Sequence, residues 1–334
     1  MTRPRVRDVA RVAGVGASTV SRVLNGRPHI SARVRERVLA AVESLGYTPD
    51  LNARSLRSGQ TGAVSVLLPM TGTPFYETLL TAVHTRLEAA DLDLALFPLM
   101  GGQRVRRFRD PGALLYRADG LLIVSQRPDT LYHGHPPFAG PVVLVDAHHP
   151  EYHSVSFDNL GAGRMAGELA LSRGLPVVLL SAAEVPGELD SPVFVERREG
   201  VLEVLAGRGV FPALTVPVPA TLEGGREGAR QLLARRPPGP FFLLALSDDL
   251  AVGAARALAD AGVRPGRDYL LLGFDGGAAA AEAGISSVAQ PVAGMGEAAA
   301  EVLLGALAGE ERGLSARVFA PTLLERASTV LQGG

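Results

Sequence analysis

The chain has 334 residues, 47% of them hydrophobic, with no cysteine and no tryptophan. That length implies two domains or one divided domain, and the lack of cysteine excludes disulfides and thiolate metal sites and suits a reducing cytosol. No apolar run reaches the ~20 residues of a membrane span, and the N-terminal arginines precede no apolar h-region, so neither a secretory leader nor a membrane partner is expected.

Net charge is −1 overall but unevenly divided. Residues 1–60 hold eleven arginines against Asp8, Glu36, Glu43 and Asp50, a net +7, and the remainder holds 22 arginines against 30 acidic residues, a net −8. A basic head on an acidic body reads as an anion-binding module joined to something else.

The first elements are helical. Val6, Val9, Ala10 and Ala13 recur at helical spacing, and Gly14 suits a left-handed C-cap. The stretch "AGVGASTVSRVLNG" then turns at Gly14-Val15-Gly16 into a second helix. Val20, Val23 and Leu24 face inward on it, and Ala17, Ser18, Ser21 and Arg22 face outward. A third helix opens with Ser31 as N-cap, buries Val34, Val38, Leu39, Val42 and Leu45, and stops at Gly46. Two short helices about a glycine turn, braced by a third, make a helix-turn-helix. Its second helix enters the major groove, where a small outer face permits close approach. Ser18 can bond a base edge there, and Arg22 can grip guanine O6 and N7 together.

These residues resemble the DNA-binding head of the LacI/GalR family of bacterial regulators. "DVARVAGV", "TVSRVLN", "LGYTP" and "ARSL" match in order and spacing. The resemblance implies base contacts from Ala17, Ser18 and Arg22 and phosphate contacts from Thr19, Ser21 and Asn25. It also places His29, Ala53 and Leu56 at the DNA. Gly16 departs from the family's usual Ser and offers no hydroxyl to a phosphate. The polar stretch from Pro49, "PDLNARSLRSGQTG", is a linker by composition. By resemblance it is a hinge whose helix forms on operator DNA, with Leu56 wedged into the minor groove.

Beyond Thr61 apolar strands alternate with helices: "AVSVLLPM", "LDLALFPL", "GLLIVS", "PVVLVD", "HSVSFD", then "PVVLLSA", "ALTVPVPA", "PFFLLALSD" and "YLLLGFD". The pattern predicts parallel sheets covered on both faces, in two lobes. It agrees with the family's body, which resembles periplasmic sugar-binding proteins. The fold expected is α/β: a three-helix head and hinge helix on a two-lobed, periplasmic-binding-protein-like body of parallel sheets flanked by helices. The divisions expected are 1–47 for the head, 48–60 for the hinge and 61–330 for the body. Lobe 1 would span about 61–158 and 288–318, and lobe 2 about 159–287 and 319–330.

Ligands of parallel-sheet lobes sit beyond the carboxyl ends of strands. Asp146, Asp248 and Asp275 lie there, with Arg197 near the start of a helical segment. Carboxylates and a guanidinium bond adjacent hydroxyls in pairs, though each Asp would also serve as a helix N-cap. The resemblance assigns effector contacts to Phe75, Asp146, Arg197, Asp248 and Asp275 and puts Gln290 near the pocket. Gly276 and Val201 stand where the family often has Asn and Phe, and no indole is available as a sugar platform.

Three rival readings are weaker. "GAGRMAG" at 161–167 has the look of a dinucleotide fingerprint, but its G-x-G-x-x-x-G spacing suits small-residue helix packing better. His133, His135, His148, His149 and His153 cluster in loops, where histidines are usually solvated rather than metal-bound. A sugar-binding protein without a DNA role conflicts with the basic head. The sequence therefore predicts a cytoplasmic DNA-binding regulator, a repressor in kind, with no enzymatic activity, catalytic residue, cofactor or metal. Its partners would be double-stranded operator DNA and a small effector such as a sugar. One helix-turn-helix reads only a half-site, so a homodimer is expected.

Overall fold

The computed structural model describes residues 4–24, 30–47, 60–69, 71–99, 106–132, 134–182, 191–310 and 313–331. The chain divides into two compact units, 1–61 and 62–334. In the first, α1 (Val6–Ala13), α2 (Ala17–Leu24) and α3 (Ala32–Leu45) bury Val9, Ala10, Ala13, Val20, Val23, Val38 and Ala41 between them. Asp8 closes the start of α1 by accepting from the Arg5 N–H at 2.9 Å, and Gly14 ends it in the left-handed region at φ 62°. The Arg37 guanidinium donates to the carbonyls of Ala13 and Gly14, pinning the α1–α2 turn to α3.

One expectation for α3 fails and another holds in position only. Leu39 is 49% exposed, because the inner stripe of α3 runs through Val34, Val38, Ala41, Val42 and Leu45, and Leu39 lies a third of a turn away from Val38. Ser31 holds the N-cap position with extended backbone but makes no side-chain cap bond.

In the second unit the elements run β1 (Ala63–Leu68), α4 (Pro74–Glu88), β2 (Asp93–Pro98), β3 (Gly120–Val124), α5 (Pro128–Tyr132), β4 (Val142–Val145), β5 (His153–Phe157) and α6 (Asn159–Arg173). There follow β6 (Val177–Ala182), α7 (Pro192–Ala206), β7 (Leu214–Val218), α8 (Leu222–Arg235), β8 (Phe241–Ala245), α9 (Asp248–Asp260), β9 (Tyr269–Asp275) and α10 (Ala278–Glu282). The last are β10 (Ser286–Ala289), α11 (Val292–Ala308), β11 (Ala316–Phe319) and β12 (Thr322–Leu324). One sheet has the order β11-β5-β4-β3-β1-β2 and is parallel throughout. The other has the order β12-β10-β9-β8-β6-β7, with only β12 antiparallel. Central strands such as β3, β4 and β8 are buried along their whole length, as sheets covered on both faces require.

The chain crosses between the sheets three times, at 158, at 290–291 and at 320–321. The last two crossings lie close to the expected boundaries, since β10 ends at Ala289 in the second sheet and β11 ends at Phe319 in the first. Strands β10, β11 and β12 were not predicted. Each has four residues or fewer, β10 carries two serines, and β11 is an exposed edge. The strand "PVVLVD" leads directly into β5 rather than into a helix.

Small residues set the helix packing in the second lobe. A Cβ on Gly163 of α6 would stand 2.2 Å from the Arg197 carbonyl of α7, and one on Gly200 of α7 would stand 2.2 Å from the Leu160 carbonyl. The "GAGRMAG" stretch is thus a packing surface. Gly225 of α8 and Gly253 of α9 make a second such pair, against the carbonyls of Leu250 and Leu222.

Candidate functional site

On the head, Ala17, Ser18 and Arg22 are exposed on α2, Thr19 and Ser21 are half-buried, and Val20 and Val23 face the core. One long side chain stands among small ones on that face, a shape that a duplex groove accommodates. Asn25, His29, Ala53 and Leu56 lie outside the described residues.

On the body, a cleft of about 590 Å³ opens at the carboxyl ends of the strands. Phe75, Asp146, Arg197, Asp248, Asp275 and Gln290 all line it. Five are delivered by a strand end or a helix start: Asp146 follows β4, Asp275 ends β9, Asp248 opens α9, Phe75 lies in the first turn of α4, and Gln290 follows β10 in the second crossover. Arg197 sits in the second turn of α7 rather than at its start.

Arg197 is 1% exposed and is bonded through each of its three guanidinium nitrogens. Its Nε donates to Asn159 Oδ1 at 2.9 Å, its Nη1 to the Leu246 carbonyl at 2.9 Å, and its Nη2 pairs with Asp275 Oδ1 at 2.8 Å. Its guanidinium carbon stands 5.0 Å from the Phe274 ring centre, within cation–π range. Gln290 Nε2 donates to the same Asp275 oxygen at 2.8 Å. On the other side, Asn159 Nδ2 reaches Asp146 Oδ1 at 3.4 Å, and Ser125 Oγ donates to Asp146 Oδ2 at 3.0 Å. A polar chain therefore runs from the first lobe through the first crossover into the second lobe.

Asp248 accepts from the Gly277 N–H at 2.6 Å and the Ser287 hydroxyl at 2.8 Å. The N-cap of α9 is Ser247, whose Oγ accepts from Leu250 N–H. Asp248 thus joins α9 to the β9 and β10 ends instead of capping its own helix. Nor does Asp275 cap a helix, since Gly277 precedes α10. Ser125, Asp146 and Asp275 hold positive φ, at 50°, 54° and 105°. Such backbone costs on the order of 1–3 kcal/mol each and gathers at functional sites.

Burial dominates the electrostatics. It pushes the Asp146 carboxyl up to about 6, against the lowering effects of Arg197, Ser125 and Asn159. Burial, then the charge of Asp275, raises Asp248 well above the usual carboxylate range, and the same two causes raise Asp249. Burial likewise raises the Tyr76 hydroxyl, with Ser125 opposing. Among the described residues no group of His, Cys, Asp or Glu is placed to hold a metal ion.

Sequence reasoning missed Ser125, Asn159, Asp249, Tyr76, Phe194 and Ser287. Ser125 and Asn159 had a signal, since each is a polar residue at the end of a strand or the start of a helix. Ser287, Tyr76 and Phe194 had none.

Residues 5–50 match the profile of "Bacterial regulatory proteins, lacI family", and residues 180–329 match that of a "Periplasmic binding protein-like domain". The HTH-type transcriptional regulator CelR of Thermobifida fusca is 31% identical over 325 residues, covering 92% of this chain and 93% of its own. The chain belongs to the lacI family. This lacI-family member is a DNA-binding transcriptional regulator. The structure of a CelR–cellobiose complex superposes with a TM-score of 0.69 at 28% identity, over 98% of this chain and 100% of that one. A probable transcription regulator from Thermus thermophilus is 38% identical, covers 79% of this chain and 97% of its own, and gives a TM-score of 0.66.

Proposed function

We propose that this regulator represses transcription in the cytoplasm by binding a palindromic operator as a homodimer, without enzymatic activity, and that a small polar molecule such as a sugar in the body cleft alters its hold on DNA. The polar chain Ser125–Asp146–Asn159–Arg197–Asp275 carries the reading, because a ligand touching it acts on both lobes at once. The CelR–cellobiose complex supports a sugar as the kind of effector. On the head, Ala17, Ser18 and Arg22 read bases and Thr19 and Ser21 hold phosphates, with Asn25, His29, Ala53 and Leu56 completing the contact.

Fluorescence anisotropy on operator and random duplexes tests the DNA half. Log K should fall steeply with log salt, by ~0.9 per phosphate contact. Arg22→Ala should cost about 1–3 kcal/mol and relax preference at one base position per half-site. Equal losses on operator and random DNA would assign Arg22 to phosphate alone. A flat salt response would remove nucleic acid from the function.

A further inference from the structure

The polar atoms of the cleft are unbalanced in sign and in hydrogen-bonding sense. Asp146, Asp248, Asp249, Asp275 and Glu282 line it, against Arg197 as the only basic residue among the described lining residues. Arg197 has its Nε, Nη1 and Nη2 committed within the protein. Asp146, Asp248 and Asp275 are likewise held by protein donors. Asp249 is half-buried in the first turn of α9 and accepts no hydrogen bond from any described residue. Gln290 adds an independent sign of the same kind. Its Nε2 is spent on Asp275, which can only accept, and its Oε1 is buried at the cleft without a partner. Asp249 and Gln290 Oε1 are therefore acceptors without a protein donor among the described residues, and five carboxyl groups against one guanidinium leave the surplus charge negative. Against them stand Phe75, Tyr76 and Phe194, an apolar wall for a ring body.

We propose that the effector of this cleft carries a protonated amine, seated against Asp249, on a sugar-like ring body. An anionic ligand such as a sugar acid or sugar phosphate meets five carboxyl groups and one guanidinium that is already paired with Asp275, so the cleft disfavours it. The inference rests on the small-molecule reading of the cleft given above. A close charge pair away from bulk water supplies the preference.

The experiment is calorimetric and thermal-shift titration of the full chain with matched probes. These are glucose, glucosamine, N-acetylglucosamine, gluconate and glucose 6-phosphate, with cellobiose and the glucosamine disaccharide for the longer body. Glucosamine or its disaccharide should bind at least about tenfold tighter than the hydroxyl parent. N-acetylation, which keeps the nitrogen and removes the charge, should erase that margin. Asp249→Asn, of equal size and at a position with no protein partner to lose, should bring the amine and its parent to similar affinity. Its unliganded melting midpoint checks that it folds, and the ratios within the unaltered protein test the idea without it. Neutral parents binding as well as amines, or anions binding best, would overturn the amine while leaving the cleft as a ligand site. If no probe of any class binds at millimolar concentration, both readings fall.

Discussion

Gly163 offers a test in which two physical effects predict opposite signs. It lies inside α6, where replacing Gly by Ala favours the helix by about 1 kcal/mol. Propensity alone therefore makes Gly163→Ala stabilising. The packing says otherwise. The added methyl would stand 2.2 Å from the Arg197 carbonyl and 3.0 Å from the Gly200 Cα, both backbone atoms of α7 that no rotamer can move. Restoring ordinary contact requires α6 and α7 to separate by roughly 1 Å, which forfeits a quarter to a half of the dispersion attraction across that face. Overpacking of this kind costs about 3 kcal/mol at the upper end of its usual range, so the net loss should be about 2 kcal/mol. Urea denaturation of the full chain, followed by far-UV circular dichroism, measures it. The displaced backbone is that of Arg197 itself, so any ligand-induced thermal shift should shrink in the same variant. Stability equal to or above that of the parent would refute the claim that these glycines set the helix spacing.

Other expectations follow from the same contacts. Asp146→Asn should stabilise the fold at pH 7.5 and not at pH 4. A carboxyl raised to about 6 binds its proton more tightly folded than unfolded, so stability is lost as pH climbs from about 4 to 6. The shift is worth up to about 3 kcal/mol, and equal effects at both pH values would contradict it. Arg197→Met leaves Asp275 and Asn159 Oδ1 without their partner, so it should cost about 3–5 kcal/mol in the denaturation midpoint. Arg37→Met removes the donor shared by the Ala13 and Gly14 carbonyls and should lower stability by about 1–3 kcal/mol. Hydrogen exchange at the α1–α2 turn would report it.

Much of this molecule was legible in its sequence, and the exceptions have physical causes. The nine apolar strands and the glycine-capped head helices announce themselves through period and punctuation. Strands β10 to β12 do not, because an edge or a crossover needs only a few residues and little burial. Asp146, Asp248, Asp275 and Gln290 fall at strand ends and a helix start, where polar residues interrupt apolar runs, while Arg197 lies one turn into its helix. Asn159 and Ser125 sit at equally visible interruptions, yet Asn159 depends on Asp146 of the other lobe and Ser125 on Asp146 at the end of the neighbouring strand. Asp249 is the sharper case. Next to Asp248 in "SDDL" it reads as a second acidic residue of a helix start, and only the hydrogen bonds of its neighbour distinguish the two. Leu39 was misplaced because an amphipathic stripe fixes a direction, while the width of the neighbouring helices decides how far burial extends.

The three crossovers have a mechanical consequence. Two bodies joined by three strands of chain at one edge cannot slide past each other freely; what remains is rotation about the line those strands define. Asn159 follows the first crossover and Gln290 lies in the second, so the residues that steady Arg197 and Asp275 stand on the axle itself. A molecule gripping the rim of the cleft would act as a lever. One gripping these groups is felt at the pivot, where a small change of angle is carried undiminished to the far ends of both lobes.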